Sequence, residues 1–249
     1  MKLRLLLAAG LLLAGSVLAA AQEAAAPKIG DNEVVFGAKK LTLNPNGVIV
    51  CTDQAGRKIF ELVRGLWGKS RATNQYDWAW SRRFFDAKQT VFRREGNKFI
   101  WEVKYTVPGE PTFTAVVQSL EVLPDGRLRY SNRLTLPELK EWSLEPDGIM
   151  LTLPQDVWNG AAVKLHDTES KLDIEAKMKL TIPWQVKKQK AVLAPGDPAK
   201  QITLEGERGK NYDGFSLVPY KVLKNFRLTV NVQRPLLRTE ACIFTLDLR

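Results

Sequence analysis

Hydrophobic and polar residues alternate with a period of two along most of the chain from Glu33 onward. The segments KFIWEVKYTV, TFTAVVQSLEVL and RLRYSNRLTL show this alternation most clearly. A period of two places one face of a β-strand against a core and the other face in solvent. The pattern therefore predicts strands throughout the chain, and it nowhere indicates an amphipathic helix of three turns.

Turn residues separate these predicted strands. Asn-Pro-Asn-Gly at 44–47 follows KLTL, and Pro-Asp-Gly at 124–126 follows TFTAVVQSLEVL. In such turns Pro fixes φ, and Gly supplies the positive φ that ends the turn. A second Pro-Asp-Gly, at 146–148, predicts another turn before IMLTL. Turn signals recur roughly every 8–14 residues, which predicts about 15–18 strands.

The number and length of these strands indicate an all-β fold, a large antiparallel β-sandwich. All-β units of about 200–250 residues form single domains in many proteins. We therefore favour one sandwich over residues 33–249. The alternative is two smaller sandwiches that meet between Pro183 and Pro198, where KKQKAVLAPGDPAK has the composition of a loop or linker.

Residues 1–21 have the composition of a cleavable secretory signal peptide. Lys2 and Arg4 precede the apolar run LLLAAGLLLAGSVLAA, and small residues follow it. A membrane anchor is the alternative, but the run is short for one. We expect residues 22–32 to form a flexible leader. The mature protein is then secreted or periplasmic, with no integral membrane span.

The mature chain is basic. Loss of Lys2 and Arg4 lowers the 37 basic side chains to 35, against 27 acidic ones, a balance of +8. Such a charge attracts polyanions, and for an exported protein we expect a polysaccharide or other anionic polymer rather than nucleic acid. The alternative is a solvated basic surface with no dedicated partner, because the basic residues are spread evenly along the sequence.

Two cysteines, Cys51 and Cys242, allow one disulfide bond in an oxidising compartment. Both lie in apolar, strand-like segments, VIVC and ACIF, so two separate buried thiols agree equally well with the sequence. Their spacing does not match a CxxC metal or redox motif.

The sequence contains no motif that fixes a catalytic activity. His166 is the sole histidine, so the chain has neither a His-cluster metal site nor a pair of histidines for acid–base catalysis. We expect no metal and no cofactor. Carboxylates such as Glu102 and Glu121 could still act in pairs, as glycoside hydrolases require, and a lyase could use Tyr and Arg side chains. Sequence spacing alone selects no residues for either reaction.

An aromatic stripe runs through YDWAW. Tyr76, Trp78 and Trp80 fall at every second position, so they share one face of a predicted strand. Such a stripe could stack on sugar rings. We favour a core role instead, because a thick sandwich needs large rings in its interior.

Four other residues are the predicted ligand-binding residues. Trp67 lies between glycines in GLWGKS, and Trp158 precedes an Asn-Gly turn. Each of these rings, which we place on loops, either anchors its loop or contacts a ligand. Arg82 and Arg83 follow the aromatic stripe, and we expect them to face solvent and to contact an anionic group.

The GVIV hairpin, the strands KFIWEVKYTV and TFTAVVQSLEVLPDGRLRYSNRL, and the turn LTLPQDVWNG resemble a known family. They are similar to the galactose-mutarotase-like supersandwich domains of secreted carbohydrate-active proteins. The resemblance covers about Glu33 to Arg249 and implies a supersandwich fold and glycan binding. Mutarotases work with histidines and a glutamate, whereas this chain has one histidine. No catalytic residue is therefore transferred.

These observations together favour an exported, non-catalytic β-sandwich that binds carbohydrate, including acidic polysaccharide, or serves as an accessory module. The alternative is a polysaccharide-active enzyme, either a lyase or a glycoside hydrolase, that uses carboxylate or Tyr/Arg chemistry.

Overall fold

The computed structural model of the chain describes residues 26–77, 90–105, 113–134, 138–177, 179–182, 186–207, 214–231 and 242–249. Nineteen β-strands run through these residues. They are β1 (Lys28–Ile29), β2 (Glu33–Phe36), β3 (Lys39–Leu43), β4 (Ile49–Thr52), β5 (Lys58–Ser70), β6 (Tyr76–Asp77), β7 (Thr90–Glu95), β8 (Lys98–Tyr105), β9 (Phe113–Val122), β10 (Leu128–Leu134), β11 (Trp142–Pro154), β12 (Ala162–Leu165), β13 (Thr168–Lys171), β14 (Leu180–Thr181), β15 (Lys188–Leu193), β16 (Ile202–Glu207), β17 (Gly214–Tyr220), β18 (Asn225–Asn231) and β19 (Cys242–Asp247). The helical elements of the described chain are α1 (Gln155–Trp158) and a 3-10 turn (Lys221–Leu223).

The strands form two large sheets. Sheet A has ten strands in the order β1-β2-β3-β4-β5-β11-β18-β17-β14, and β6 pairs with β5 beside this path. Sheet B has nine strands in the order β13-β12-β15-β16-β19-β10-β9-β8-β7. The described strand pairs are antiparallel. The predicted all-β antiparallel sandwich is therefore confirmed.

The buried hydrophobic side chains of both sheets form one cluster in the described chain. Alternate residues of each strand enter it. Leu41 and Leu43 of β3 are fully buried, whereas Lys40, on the opposite face of the strand, is exposed. Trp101 and Tyr130 of sheet B belong to the same cluster. Full burial of a large apolar side chain contributes about 1.5–3 kcal/mol, so the period-two pattern accounts both for the strands and for the packing of the sheets.

A buried lysine joins the two sheets. Lys39 of β3 is 3% exposed. Its Nζ donates to the carbonyl oxygens of Pro198, Gln201 and Leu248 at 2.8, 3.2 and 2.6 Å. Pro198 and Gln201 lie between β15 and β16, and Leu248 follows β19. Because an ammonium has three donors, these three carbonyls satisfy all of its N–H groups, although burial still lowers the pKa of Lys39.

The turn between β3 and β4 also connects the sheets. Gly47 has φ +88° and its N–H donates to Asn44 O at 2.9 Å, as the Asn-Pro-Asn-Gly signal predicts. Trp101 Nε1 and Gln118 Nε2 of sheet B donate to the carbonyls of Asn44 and Gly47 at 2.8 and 3.0 Å. A Cβ at Gly47 would lie 2.6 Å from a guanidinium nitrogen of Arg64. Glycine is therefore required here by both backbone and space.

The second Pro-Asp-Gly signal does not end a strand. β11 continues through it, and its pairing with β5 shifts register between Pro146 and Gly148. Gly148 has φ +95°. An extra residue with a glycine at positive φ is the mark of a β-bulge, so the predicted turn is corrected to a bulge inside a continuous strand.

The segment predicted to resemble a linker is also corrected. Lys188–Leu193 of KKQKAVLAPGDPAK forms β15, which pairs with β12 and with β16 inside sheet B. Ala191 and Leu193 are fully buried. Exposed Lys188 and Lys190 alternate with the buried residues Gln189, Ala191 and Leu193, which is the period-two pattern of a strand, although the charge of the segment suggested a loop.

Cys51 is a free, buried thiol. It lies in β4 of sheet A, whereas Cys242 begins β19 of sheet B. Of the two alternatives for the cysteines, the structure therefore has Cys51 outside any disulfide bond. Burial raises the pKa of the Cys51 thiol to about 12, against a smaller lowering effect of the Lys39 charge. The thiol is thus protonated at neutral pH.

Candidate functional site

Trp158 is a core residue. Its side chain is fully buried, and Nε1 donates to Ile59 O at 2.6 Å. A ring with no exposed surface cannot contact a ligand, so the predicted ligand contact of Trp158 is corrected to the other alternative, an anchor for the local backbone.

Trp67 is not on a loop. It lies inside β5, where it pairs with Glu145 of β11. Glycines at 65 and 68 suggested a loop from the sequence, but both of them pair with β11 as well. The prediction that Trp67 is loop-borne is therefore wrong. Its role as a ligand contact stays a prediction.

The arginine pair Arg82 and Arg83 lies outside the described residues, as do Trp78 and Trp80. Of the aromatic stripe, Tyr76 is described. It belongs to β6 and is 44% exposed, with Lys69 Nζ 5.6 Å from its ring centroid. This ring faces solvent in part, contrary to the expectation that it is core.

A surface groove of about 420 Å³ lies beside α1, at the point where Trp158 fixes the helix to β5. Its lining side chains are those of Gln155, Asp156, Asn159 and Lys224. They supply two amides, one carboxylate and one ammonium. The groove therefore offers hydrogen-bond donors and acceptors, with one charge of each sign.

The sequence around α1 explains why these polar groups face outward. Val157 and Trp158 are buried, which turns Gln155 and Asp156 toward solvent. Pro154 precedes the helix, where its missing N–H costs no hydrogen bond. Gly160, with φ +81°, follows Asn159 and ends the element.

Backbone contacts hold the two sides of the groove together. Gln155 N–H donates to Lys224 O at 3.0 Å, which joins α1 to the turn between β17 and β18. Asn159 Oδ1 accepts from Ile174 N–H at 3.0 Å, which leaves the Asn159 amide nitrogen as its donor. Lys224 has φ +48°, a left-handed conformation.

A buried acceptor adjoins the groove. Asn225 follows Lys224 and pairs with Pro154, the residue before α1. Its Nδ2 donates to Leu223 O at 3.2 Å, and its buried Oδ1 has no hydrogen-bond partner among the described residues. A buried acceptor without a donor costs about 1–3 kcal/mol. A bound water or a ligand hydroxyl would satisfy it.

The outer face of sheet B is a different kind of surface. Its basic side chains lie beside carboxylates on neighbouring strands. Arg93 is 2.9 Å from Glu102, and Arg129 is 3.4 Å from Glu121. These two arginines are therefore neutralised by carboxylates on neighbouring strands.

Ionisable groups in the described chain show no arrangement typical of catalysis. His166 occupies the turn between β12 and β13 with φ +54°, and its Nε2 is 3.2 Å from an Asp167 oxygen. The carboxyl groups with shifted pKa values here are Asp53, Asp125, Glu169 and Asp247, and hydrogen bonds lower every one of these values. A lowered pKa makes a carboxyl group a poor proton donor near neutral pH.

The same residues contain neither a cluster of metal-ligating side chains nor a helix that could span a membrane. The part of the chain that the structure describes has no group of three or more His, Cys, Asp or Glu side chains that could hold a metal ion. Its helices are all too short or too polar to cross a bilayer.

Sequence reasoning missed the groove, although its residues stand in the quoted turn LTLPQDVWNG. A proline followed by Gln and Asp and ending at Asn-Gly is compatible with one helical turn. The contribution of Lys224 could not be found in this way, because nothing local relates it to α1. No protein-family model matches the chain, and no curated protein is significantly similar to it.

Proposed function

We propose that the protein is an exported, non-catalytic β-sandwich that binds a carbohydrate in the groove beside α1. The observation that carries the proposal is the lining of this groove by Gln155, Asp156, Asn159 and Lys224. Galactose-mutarotase-like character remains part of the proposal, resting on the sequence resemblance.

The chemistry of the groove favours a hydroxyl-rich ligand. Most sites for small molecules are mainly apolar, with a few polar groups that fix orientation. This groove follows the same pattern, because four residues with polar side chains line a wall whose surface is more apolar than polar, and the volume of about 420 Å³ falls within the usual range for small-ligand sites, about 300–1,000 Å³. Sugar hydroxyls both donate and accept hydrogen bonds, so they can bind to the amides and to the carboxylate.

Lys224 extends the proposal to acidic sugars. Its ammonium can contact a carboxylate or sulfate group, and the net charge of +8 predicted for the mature chain attracts anionic polymers over longer range. Asp156 in the same groove would repel a ligand that carries several anionic groups close together. A glycan with widely spaced acidic groups fits both side chains.

The arrangement of the described carboxylates supports glycan binding more than glycoside hydrolysis. Glu102 and Glu121, which the sequence offered among its candidate carboxylates, each lie beside an arginine on the outer face of sheet B. Each of these carboxylates therefore forms a surface ion pair with an arginine, and neither faces the other across an open cleft that the described residues define. The enzyme alternative therefore receives no support from these two residues.

A titration of the mature protein with neutral and uronic-acid oligosaccharides tests the proposal. We expect calorimetry to show saturable binding. The double variant Gln155→Ala, Asn159→Asp should weaken it roughly 5- to 150-fold, since each lost hydrogen bond contributes about 0.5–1.5 kcal/mol. Asp at 159 keeps the acceptor for Ile174 N–H and removes the amide donor.

Gln75→Ala is the matched control. Gln75 is an exposed amide in the turn after β5, and its carbonyl accepts from Ser70 N–H. Trp158 contacts Ile59 at the other end of β5, about 36 Å away for an extended strand. Equal binding by wild type and by the double variant would contradict the proposed site.

A further inference from the structure

The turn between β17 and β18 exposes apolar side chains. Val222 and Leu223 are 94% and 57% exposed. We call residues 220–224 the β17–β18 tip. Hairpin turns usually carry Gly, Asn, Asp or Pro, as the turn at 124–126 of this chain does. The tip instead presents two branched hydrocarbon side chains whose exposure contributes nothing to the stability of the fold.

Cations surround these two side chains. Lys221 precedes Val222, and Lys224 follows Leu223. At the base of the tip, the Arg227 guanidinium lies 4.1 Å from the centroid of the Tyr220 ring. Lys221, Lys224 and Tyr220 are all exposed. The tip thus combines an apolar end with a basic collar.

Two carboxylates lie near the basic collar. Glu175 is 2.6 Å from Lys221 Nζ, and Asp156 lines the groove together with Lys224. The side chains of Lys221 and Glu175 are both more than half exposed. Solvent therefore screens the attraction between them, and the ion pair can open. Three cations against two carboxylates leave the collar positive.

We propose that the β17–β18 tip docks on a bilayer surface that contains anionic phospholipids. Val222 and Leu223 enter the boundary between headgroups and acyl chains, and Lys221 and Lys224 contact lipid phosphates. Peripheral membrane binding of this kind combines the burial of exposed apolar area with attraction between basic side chains and anionic lipids.

The size of the tip favours a membrane over a protein partner. A stable protein interface buries about 800 Å² on each partner and draws on about 20–30 residues. The tip offers two apolar side chains and a few cations. A bilayer needs no complementary shape, and its fluid surface can accommodate a narrow protruding turn.

This proposal shares Lys224 with the proposed groove, but the two can be tested separately. The apolar end of the tip plays no part in the proposed groove, and the amides of Gln155 and Asn159 play no part in the docking. Variants can therefore separate the two properties, with failure of either one leaving the other measurable.

Sedimentation with vesicles tests the proposal. The mature protein, recovered from the exported fraction, is mixed with vesicles of phosphatidylcholine alone or with about a third phosphatidylglycerol. We expect binding to the anionic vesicles that weakens as salt increases. Val222→Ser, Leu223→Ser should lower the partition coefficient at least about tenfold, since it removes the buried apolar area. Lys221→Gln should lower it by a smaller factor.

The matched control is Val91→Ser, Ile243→Ser. These side chains are 47% and 50% exposed, but they lie in β7 and β19 of sheet B. The control should sediment like the wild type, and thermal unfolding should show all variants folded. Absence of binding by the wild type, equal binding to neutral vesicles, or equal loss in the control would each overturn the proposal.

Discussion

At the scale of single residues, buried polar side chains make the most specific contacts between the two sheets. Lys39, Trp101 and Gln118 each donate to backbone carbonyls of turns or chain ends on the other side of the core. Apolar burial fixes which faces meet, but it is not directional. Hydrogen bonds to single carbonyls fix the position of one sheet relative to the other.

Lys39→Met should destabilise the protein by about 2–4 kcal/mol. Methionine fills similar space but leaves the carbonyls of Pro198, Gln201 and Leu248 without their donor, and a buried acceptor without a partner costs about 1–3 kcal/mol. Denaturant unfolding measures the change. Lys40→Met, on the exposed neighbour, is the control and should change the free energy of unfolding by less than about 0.5 kcal/mol.

Ionisation of the buried Cys51 thiol should lower the free energy of unfolding at alkaline pH. Its folded pKa of about 12 lies above the ordinary value, 9.0, so its contribution is fully present below about pH 9 and is lost as pH rises toward 12. The free energy of unfolding of the wild type relative to Cys51→Ser should therefore fall by up to about 1.4 kcal/mol per pH unit in this window. A difference that stays constant from pH 8 to 11 would contradict the burial of a neutral thiol.

At the scale of elements, α1 depends on one distant contact. Four residues cannot form a stable helix alone, and the hydrogen bond from Trp158 to Ile59 O spans 99 residues of sequence. The tip between β17 and β18 depends on α1 in turn, through Gln155 N–H and Lys224 O. The groove is thus a product of long-range packing.

Trp158→Phe should lower stability and spare ligand affinity. Phenylalanine keeps most of the buried ring but loses the donor to Ile59 O, which we expect to cost about 1–3 kcal/mol. Thermal unfolding and calorimetric titration below the melting transition separate the two effects. An intact melting temperature with lost binding would show that the ring contacts the ligand after all.

The strands could be predicted from sequence because alternation is local. β8, β9, β10 and β18 all follow their segments of period-two pattern, and the turn at 124–126 forms as its Pro-Asp-Gly signal predicts. The same signal at 146–148 became a bulge because β5 supplies a partner on both sides of it, from Trp142 to Thr152 of β11. Pairing between strands about 80 residues apart decided that outcome.

The candidate site was less predictable for the same reason. The Asn-Gly after Trp158 indicated a turn, and an aromatic ring beside a turn suggested a ligand contact. The ring is buried in the structure, and its polar neighbours Gln155 and Asn159 line the groove instead. Lys224 joins them through the β17–β18 connection, which no local pattern relates to α1.

At the scale of the whole molecule, two sheets share one set of buried hydrophobic residues, and the outer surfaces differ in charge. Ion pairs neutralise much of the outer face of sheet B, whereas exposed cations and polar groups gather around α1 and the β17–β18 tip. We infer that ligand and membrane contacts belong to this region. The export that the N-terminal sequence predicts would bring the protein to a compartment with polysaccharides and lipid surfaces, which agrees with both proposals.

Side-chain amide resonances give the most direct test of the central claim, that the groove beside α1 binds a glycan. In a titration with an oligosaccharide that binds, the amide signals of Gln155 and Asn159 and the backbone signal of Lys224 should shift together and saturate. The signal of Gln75 should stay in place. Saturable shifts confined to other residues, with Gln155, Asn159 and Lys224 unchanged, would contradict the account.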